Sequence, residues 1–231
     1  MGQAGIDLLI FGAHPDDAEI GMGGTIYKHT KAGYKVVICD LTHAEMSSNG
    51  TVESRKLEAA EAGRLLGLAE RSNLGLPDRG LRGDPAQIEQ IVRELRRLRP
   101  RLVFAPYWQD RHPDHVMCGK LVDEAIFNAK LRNYLPELEP VAIERTYYYF
   151  INDLYEPQVV LDVSDNYEMK HAALRAYGTQ FMPDGATVST PINEGFLEHI
   201  EMRDRVTGHK FGYRYAEGFA ARHPVSVKLF E

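Results

Sequence analysis

Three short, almost wholly apolar runs, Ile6 to Phe11, Tyr34 to Leu41 (through Val36, Val37 and Ile38) and Leu102 to Ala105, constrain the fold of this chain most strongly. Each is too short for a helix and too continuous for a strand with one wet face, so each reads as a strand buried on both sides of a parallel sheet. Helix-length segments separate them. Gly21 to Lys31 follows the first strand and Val52 to Leu66 the second. A short extended piece at Ser72 to Leu76 and a helix over Pro85 to Leu98, ended by Pro100, precede the third. Alternation of this kind predicts an α/β domain of Rossmann-like type, a mostly parallel sheet flanked by helices.

The remaining chain continues in mixed style. Pro106 to Asp114 reads as a loop into a helix reaching Asn128. Beyond Leu135-Pro136 we expect strands at Arg145 to Ile151 and Gln158 to Val163, helices at Tyr167 to Tyr177 and Glu194 to Thr207, and a final extended tail. At 231 residues, without a linker, repeat or low-complexity tract, the expectation is one domain over 1–231.

Two runs follow predicted strands directly: His14-Pro15-Asp16-Asp17 and His112-Pro113-Asp114-His115, about a hundred residues apart. Open α/β sheets bind ligands beyond the carboxyl ends of their strands, so the two runs can meet there. Imidazole and carboxylate are donors that zinc accepts, and a catalytic zinc takes three protein ligands and leaves one position open. Either run alone is explained by first-turn prolines and acids at helix starts. Together, each after a strand of one sheet, they point to a divided metal site. Two histidines and a carboxylate also describe the facial triad of non-haem iron oxygenases, although such a site needs no spare carboxylate beside its ligands. A dinucleotide site is a poorer match, despite Gly12, Gly21 to Gly24 and Asp40. The position two residues after Gly12, where the fingerprint requires glycine, holds His14.

Ala13-His14-Pro15-Asp16-Asp17-Ala18-Glu19-Ile20-Gly21, with His112-Pro113-Asp114-His115 downstream, resembles the zinc-dependent N-acetylglucosamine deacetylases of the PIG-L/LmbE family. Leu76-Pro77-Asp78-Arg79-Gly80 and Tyr215-Ala216-Glu217-Gly218-Phe219 are similar to its bacillithiol-pathway branch, which deacetylates N-acetylglucosaminyl malate. The resemblance implies that His14, Asp17 and His115 bind zinc, that Asp16 is the general base, and that His112, oriented by Asp114, supports the oxyanion. It also implies substrate-facing roles for Arg55 and, more weakly, Arg111. A solvated Arg55 paired with Glu58 or Glu61 is the plainer reading. Other N-acetylglucosamine derivatives or chitooligosaccharides are alternative substrates, and a noncatalytic metal-containing sugar-binding protein is the contrasting class. Many relatives carry Thr-x-Gly-Glu after the second strand. Here the stretch is Thr42-His43-Ala44-Glu45, and alanine restricts that turn.

Charge and composition fit a small-molecule enzyme. Lys and Arg number 27 against 33 Asp and Glu, a formal charge of -6, which is not the footprint of a nucleic-acid binder. No apolar run approaches membrane-spanning length, and the first residues lack the basic and apolar stretches of a secretory signal. With only Cys39 and Cys118, free thiols in a cytoplasmic protein are expected. The family resemblance further implies a homo-hexamer.

Overall fold

A computed structural model describes residues 5–182 and 187–224. The part of the expected tail beyond 224 lies outside the described residues.

The first apolar run forms β1 (Leu8–Gly12) and the second β2 (Val36–Thr42), every residue of both buried. β3 (Glu70–Leu76) and β4 (Leu102–Pro106) follow after their helices. β1 pairs in parallel with β2 on one side and with β4 on the other. Alternate side chains of β1 then supply two cores. Leu9 and Phe11 face one, with Ile91, Leu95 and Val122, while Leu8 and Ile10 face the other, with Ile26, Ala62 and Leu174. Burial on both faces is why the run carries no hydrophobic alternation, each large apolar side chain contributing about 1.5–3 kcal/mol.

Seven strands make one sheet in the order β3-β2-β1-β4-β5-β7-β6, with β5 (Arg145–Tyr149), β6 (Val159–Asp162) and β7 (Ala216–Ala220) completing it. β1 to β5 run parallel, whereas β7 is antiparallel to both β5 and β6. The expected tail thus begins as an inserted strand, not a loose extension. The chain moves from β1 out to β3 and then returns to place β4 on the opposite side of β1. A crevice opens at such a switch point, beyond the carboxyl ends of β1 and β4.

Helices α1 (Asp17–Lys31), α2 (Val52–Leu66), α3 (Pro85–Leu98) and α4 (Pro113–Ala129) connect these strands. α5 (Tyr167–Arg175), the short α6 (Gly178–Phe181) and α7 (Phe196–Lys210) follow. From the sequence, the body of the first helix is expected over Gly21 to Lys31. α1 instead starts at Asp17 and is interrupted at Met22, whose φ of -151° is not helical. The helix expected over Tyr167 to Tyr177 ends at Arg175, and the separate α6 begins just beyond the expected segment, at Gly178.

Candidate active site

β1 ends in Gly12, and the next turn reverses the chain into α1. Asp16 occupies the N-cap with φ 121° and ψ -26°, a conformation costly for a residue with a Cβ. This strained turn sends adjacent carboxylates to different partners. Asp17 faces the histidines: its Oδ2 accepts the His14 main-chain N–H at 2.9 Å and lies 3.6 Å from His14 Nδ1. Its Oδ1 lies 3.1 Å from His115 Nε2. Asp16 Oδ2 instead accepts from Arg55 Nη1 at 2.7 Å.

Arg55 is therefore neither solvated nor paired with Glu58 or Glu61. It is buried on the first turn of α2, donates also to the Pro15 carbonyl at 2.8 Å, and reaches Ser47 Oγ at 3.1 Å. Its guanidinium lines the pocket but is held by the protein, so a substrate carboxylate would have to compete with Asp16. Arg111 is exposed at the rim.

α4 begins at Pro113, with His112 as its N-cap. His112 Nδ1 accepts the Asp114 main-chain N–H at 3.2 Å, which leaves the ring proton on Nε2 when the imidazole is neutral. Asp114 thus reaches His112 through its main chain, while its carboxylate is engaged elsewhere. It accepts from the Arg79 main-chain N–H at 2.7 Å and from Arg79 Nη1 at 2.8 Å, and approaches His14 Nε2 at 3.8 Å. The turn Pro77 to Gly80 explains this, because Arg79 takes φ 60° and points its N–H at Asp114.

Two residues outside the expected set complete the arrangement. Asp78 Oδ1 lies 3.2 Å from His14 Nε2, and Asp110 Oδ1 lies 2.9 Å from His115 Nδ1. Each histidine thus presents one ring nitrogen to Asp17 and the other to a second carboxylate, the usual way a protein fixes ligating imidazoles. Asn152 Nδ2 donates to Asp110 Oδ1 at 2.7 Å. Asp78 sits in a motif already noticed in the sequence, and Asp110 stands two residues before His112. Proximity to those features was the available signal.

Charge follows this geometry. Burial opposes protonation of His115, yet Asp17 and Asp110 outweigh it and raise the imidazole to about 9. Burial also opposes charge on His14, but Asp114, Asp17 and Asp78 lift it well above the usual range. Asp17 is likewise burdened by burial but held well below the carboxylate range by His115 and His14. Asp16 behaves differently: burial pushes it up to about 6, against the pull of Arg55. Burial and the neighbouring His115 and His14 push His112 down to about 4.

This donor set suits a divalent cation. Nitrogen and oxygen donors at about 2.0–2.1 Å around a tetrahedral ion stand roughly 3.3 Å apart, and the two oxygens of Asp17 lie near that spacing from one imidazole each, Oδ1 at 3.1 Å from His115 and Oδ2 at 3.6 Å from His14. Donor atoms of His14, His112 and His115 also lie within 4.8 Å of one another. The residues lie in a cavity of about 620 Å³ with a polar wall that includes Ser47, Asn49, Asp78 and Gln180 and an apolar wall of Ile20, Ile151, Ile192 and Phe196. That is room for a substituted sugar.

Asp40, which loosely suggested a ribose-binding acid, is engaged elsewhere: Arg71 donates to both its oxygens, at 2.7 and 3.0 Å. Cys118 is fully buried in the core.

Residues 9–126 match the family model described as PIG-L, GlcNAc-PI de-N-acetylase. The chain belongs to the PIG-L family. A diacetylchitobiose deacetylase from Thermococcus kodakarensis is 32% identical over 226 residues, covering 91% of this chain and 81% of its own. A probable N-acetyl-alpha-D-glucosaminyl L-malate deacetylase 2 from Bacillus subtilis is 30% identical over 207 residues, covering 84% and 86%. The crystal structure of a conserved protein from Thermus thermophilus superposes with a TM-score of 0.90 at 39% identity, covering 98% of this chain and 99% of that one. As a PIG-L protein the chain is an N-deacetylase, a hydrolase of linear amide bonds. No helix among the described residues is long and apolar enough to cross a membrane.

Proposed function

We propose that the protein is a zinc-dependent deacetylase of an N-acetylglucosamine conjugate, N-acetylglucosaminyl L-malate in the first instance, releasing acetate and the free amine in the cytoplasm. One observation carries the hydrolytic reading: Asp16 and Asp17 are adjacent, yet Asp17 faces two imidazoles while Asp16 is set apart on Arg55. A ligand and a base are thereby separated by a single peptide bond. A noncatalytic sugar binder has no use for the second carboxylate.

His14, Asp17 and His115 would hold the ion. When bound, zinc supplies an acidified water and polarises the acetyl carbonyl. Asp16 takes a proton from the attacking water and returns it to the amide nitrogen as the C–N bond breaks, so acetate and amine leave with the proton balance closed. Burial keeps Asp16 basic, and Arg55 fixes the carboxylate in place. His112 donates from Nε2 to the developing oxyanion, because its Nδ1 is already occupied by the Asp114 N–H. Asp114 serves through its main chain at His112 and through its carboxylate at Arg79.

With Arg55 held by Asp16, Arg111 at the exposed rim is the better partner for a malate carboxylate. A second reading, deacetylation of a chitooligosaccharide, is favoured by the identity to the diacetylchitobiose enzyme. Acetate release by the zinc-loaded protein on the malate conjugate, diacetylchitobiose and simple N-acetylglucosamine derivatives separates them. We expect the highest kcat/KM on the malate conjugate, reduced by Arg111→Ala. Preference for diacetylchitobiose, with no effect of that substitution, would replace the first substrate by the second.

A further inference from the structure

α1 is broken at Met22, and a break inside a helix leaves main-chain groups without helical partners. Side chains from two distant elements, α7 and β7, supply them. At the end of the first half, the Ile20 carbonyl accepts from Arg203 Nη2 at 2.8 Å. At the start of the second, the Gly24 and Thr25 N–H groups donate to the two oxygens of Glu217, at 3.0 and 2.7 Å. Lys170 joins these ends: its Nζ donates to Glu217 Oε1 and to Asp204 Oδ2, both at 2.7 Å, and Asp204 Oδ1 accepts from Arg203 Nε at 2.9 Å. Two cations and two anions form one chain, and all four are buried.

Burying four charged groups is costly, and a continuous helix would have needed none of them. What the cluster accomplishes is visible in the other arm of Arg203. Its Nη1 donates to the Phe150 and Ile151 carbonyls, at 2.9 and 2.8 Å. The next residue, Asn152, holds Asp110, which holds His115. Ile20 lies one helical turn from Asp17. One guanidinium therefore spans the segment carrying Asp17 and the segment that orients His115, the two groups that meet at 3.1 Å.

We propose that Arg203 is a positioning residue that sets the separation of the two halves of the metal site, with Asp204, Lys170 and Glu217 holding it in register. The inference rests on the metal-binding part of the function proposed above, and its test does not depend on turnover. Arg203→Lys keeps the charge but loses the planar fork that spans both segments. Zinc affinity of the metal-free protein, measured by competition with a chromogenic chelator, should fall about tenfold or more with the far-ultraviolet circular dichroism unchanged. A folded variant of lowered Tm that binds zinc as tightly as the wild type would reduce Arg203 to a structural part and overturn the proposal.

A second measurement needs no variant. If the cluster favours the metal-binding geometry, zinc must in turn favour the cluster. Zinc added to the metal-free wild-type protein should slow amide hydrogen exchange at Gly24 and Thr25, whose N–H groups end on Glu217. Unchanged exchange at both amides contradicts the proposal, and this result decides the matter should Arg203→Lys fail to fold. A wild-type protein that binds zinc but releases no acetate would instead refute the deacetylase assignment and leave the role of Arg203 intact.

Discussion

Arg55 Nη1 stands 2.7 Å from Asp16 Oδ2, both side chains buried, and the same nitrogen also holds the Pro15 carbonyl. The pair fixes the strained turn and the carboxylate together. Arg55→Ala should leave Asp16 buried without a cationic partner and lower unfolding stability by about 3–5 kcal/mol. In steady-state kinetics kcat should fall more than KM rises. A change confined to KM would return Arg55 to the substrate-binding role suggested by family resemblance.

Asp78 and Asp110 hold the outer nitrogens of His14 and His115. Asp78→Asn and Asp110→Asn should each weaken zinc binding about 10–100-fold, read by chelator competition on folded protein. Wild-type affinity in both variants would show that these carboxylates do not orient ligands.

Ala44 adopts φ 54°, the left-handed conformation that glycine takes without penalty. The alanine holds that conformation at the cost of strain. Ala44→Gly should therefore stabilise the protein by about 0.5–1 kcal/mol, visible as a rise in Tm of roughly 2–4 °C per kcal/mol. A lowered Tm would indicate that the Ala44 methyl packs better than its backbone conformation costs.

Gly21 meets the ring of Tyr149, whose hydroxyl donates to the Phe11 carbonyl at 2.7 Å inside β1. A methyl group there has nowhere to go without moving a fully buried tyrosine. Gly21→Ala should cost about 1–3 kcal/mol in chemical denaturation, against the small gain alanine gives in an ordinary helix.

The sheet centre was legible in the sequence because β1, β2 and β4 are buried on both faces and need no long-range information to be recognised. The same holds for the paired motifs, each local to a strand end. The rest depended on partners far along the chain. Whether β7 adds outside β6 or between β5 and β6 depends on pairing alone. The break in α1 has no local cause that a helical pattern reveals, since Glu217 caps it from 193 residues away. Arg55 looked like a surface residue of α2 because nothing near it in sequence shows that Asp16 lies above it.

Asp16 and Asp17 divide the roles of base and ligand between them, and Asp16→Ala separates the two roles. Metal content and acetate release should be measured on the same folded preparation, beside wild type. About one zinc per chain should be retained, with acetate release lowered by about 10²–10⁴-fold. Zinc retained together with near-wild-type acetate release would contradict that division of roles.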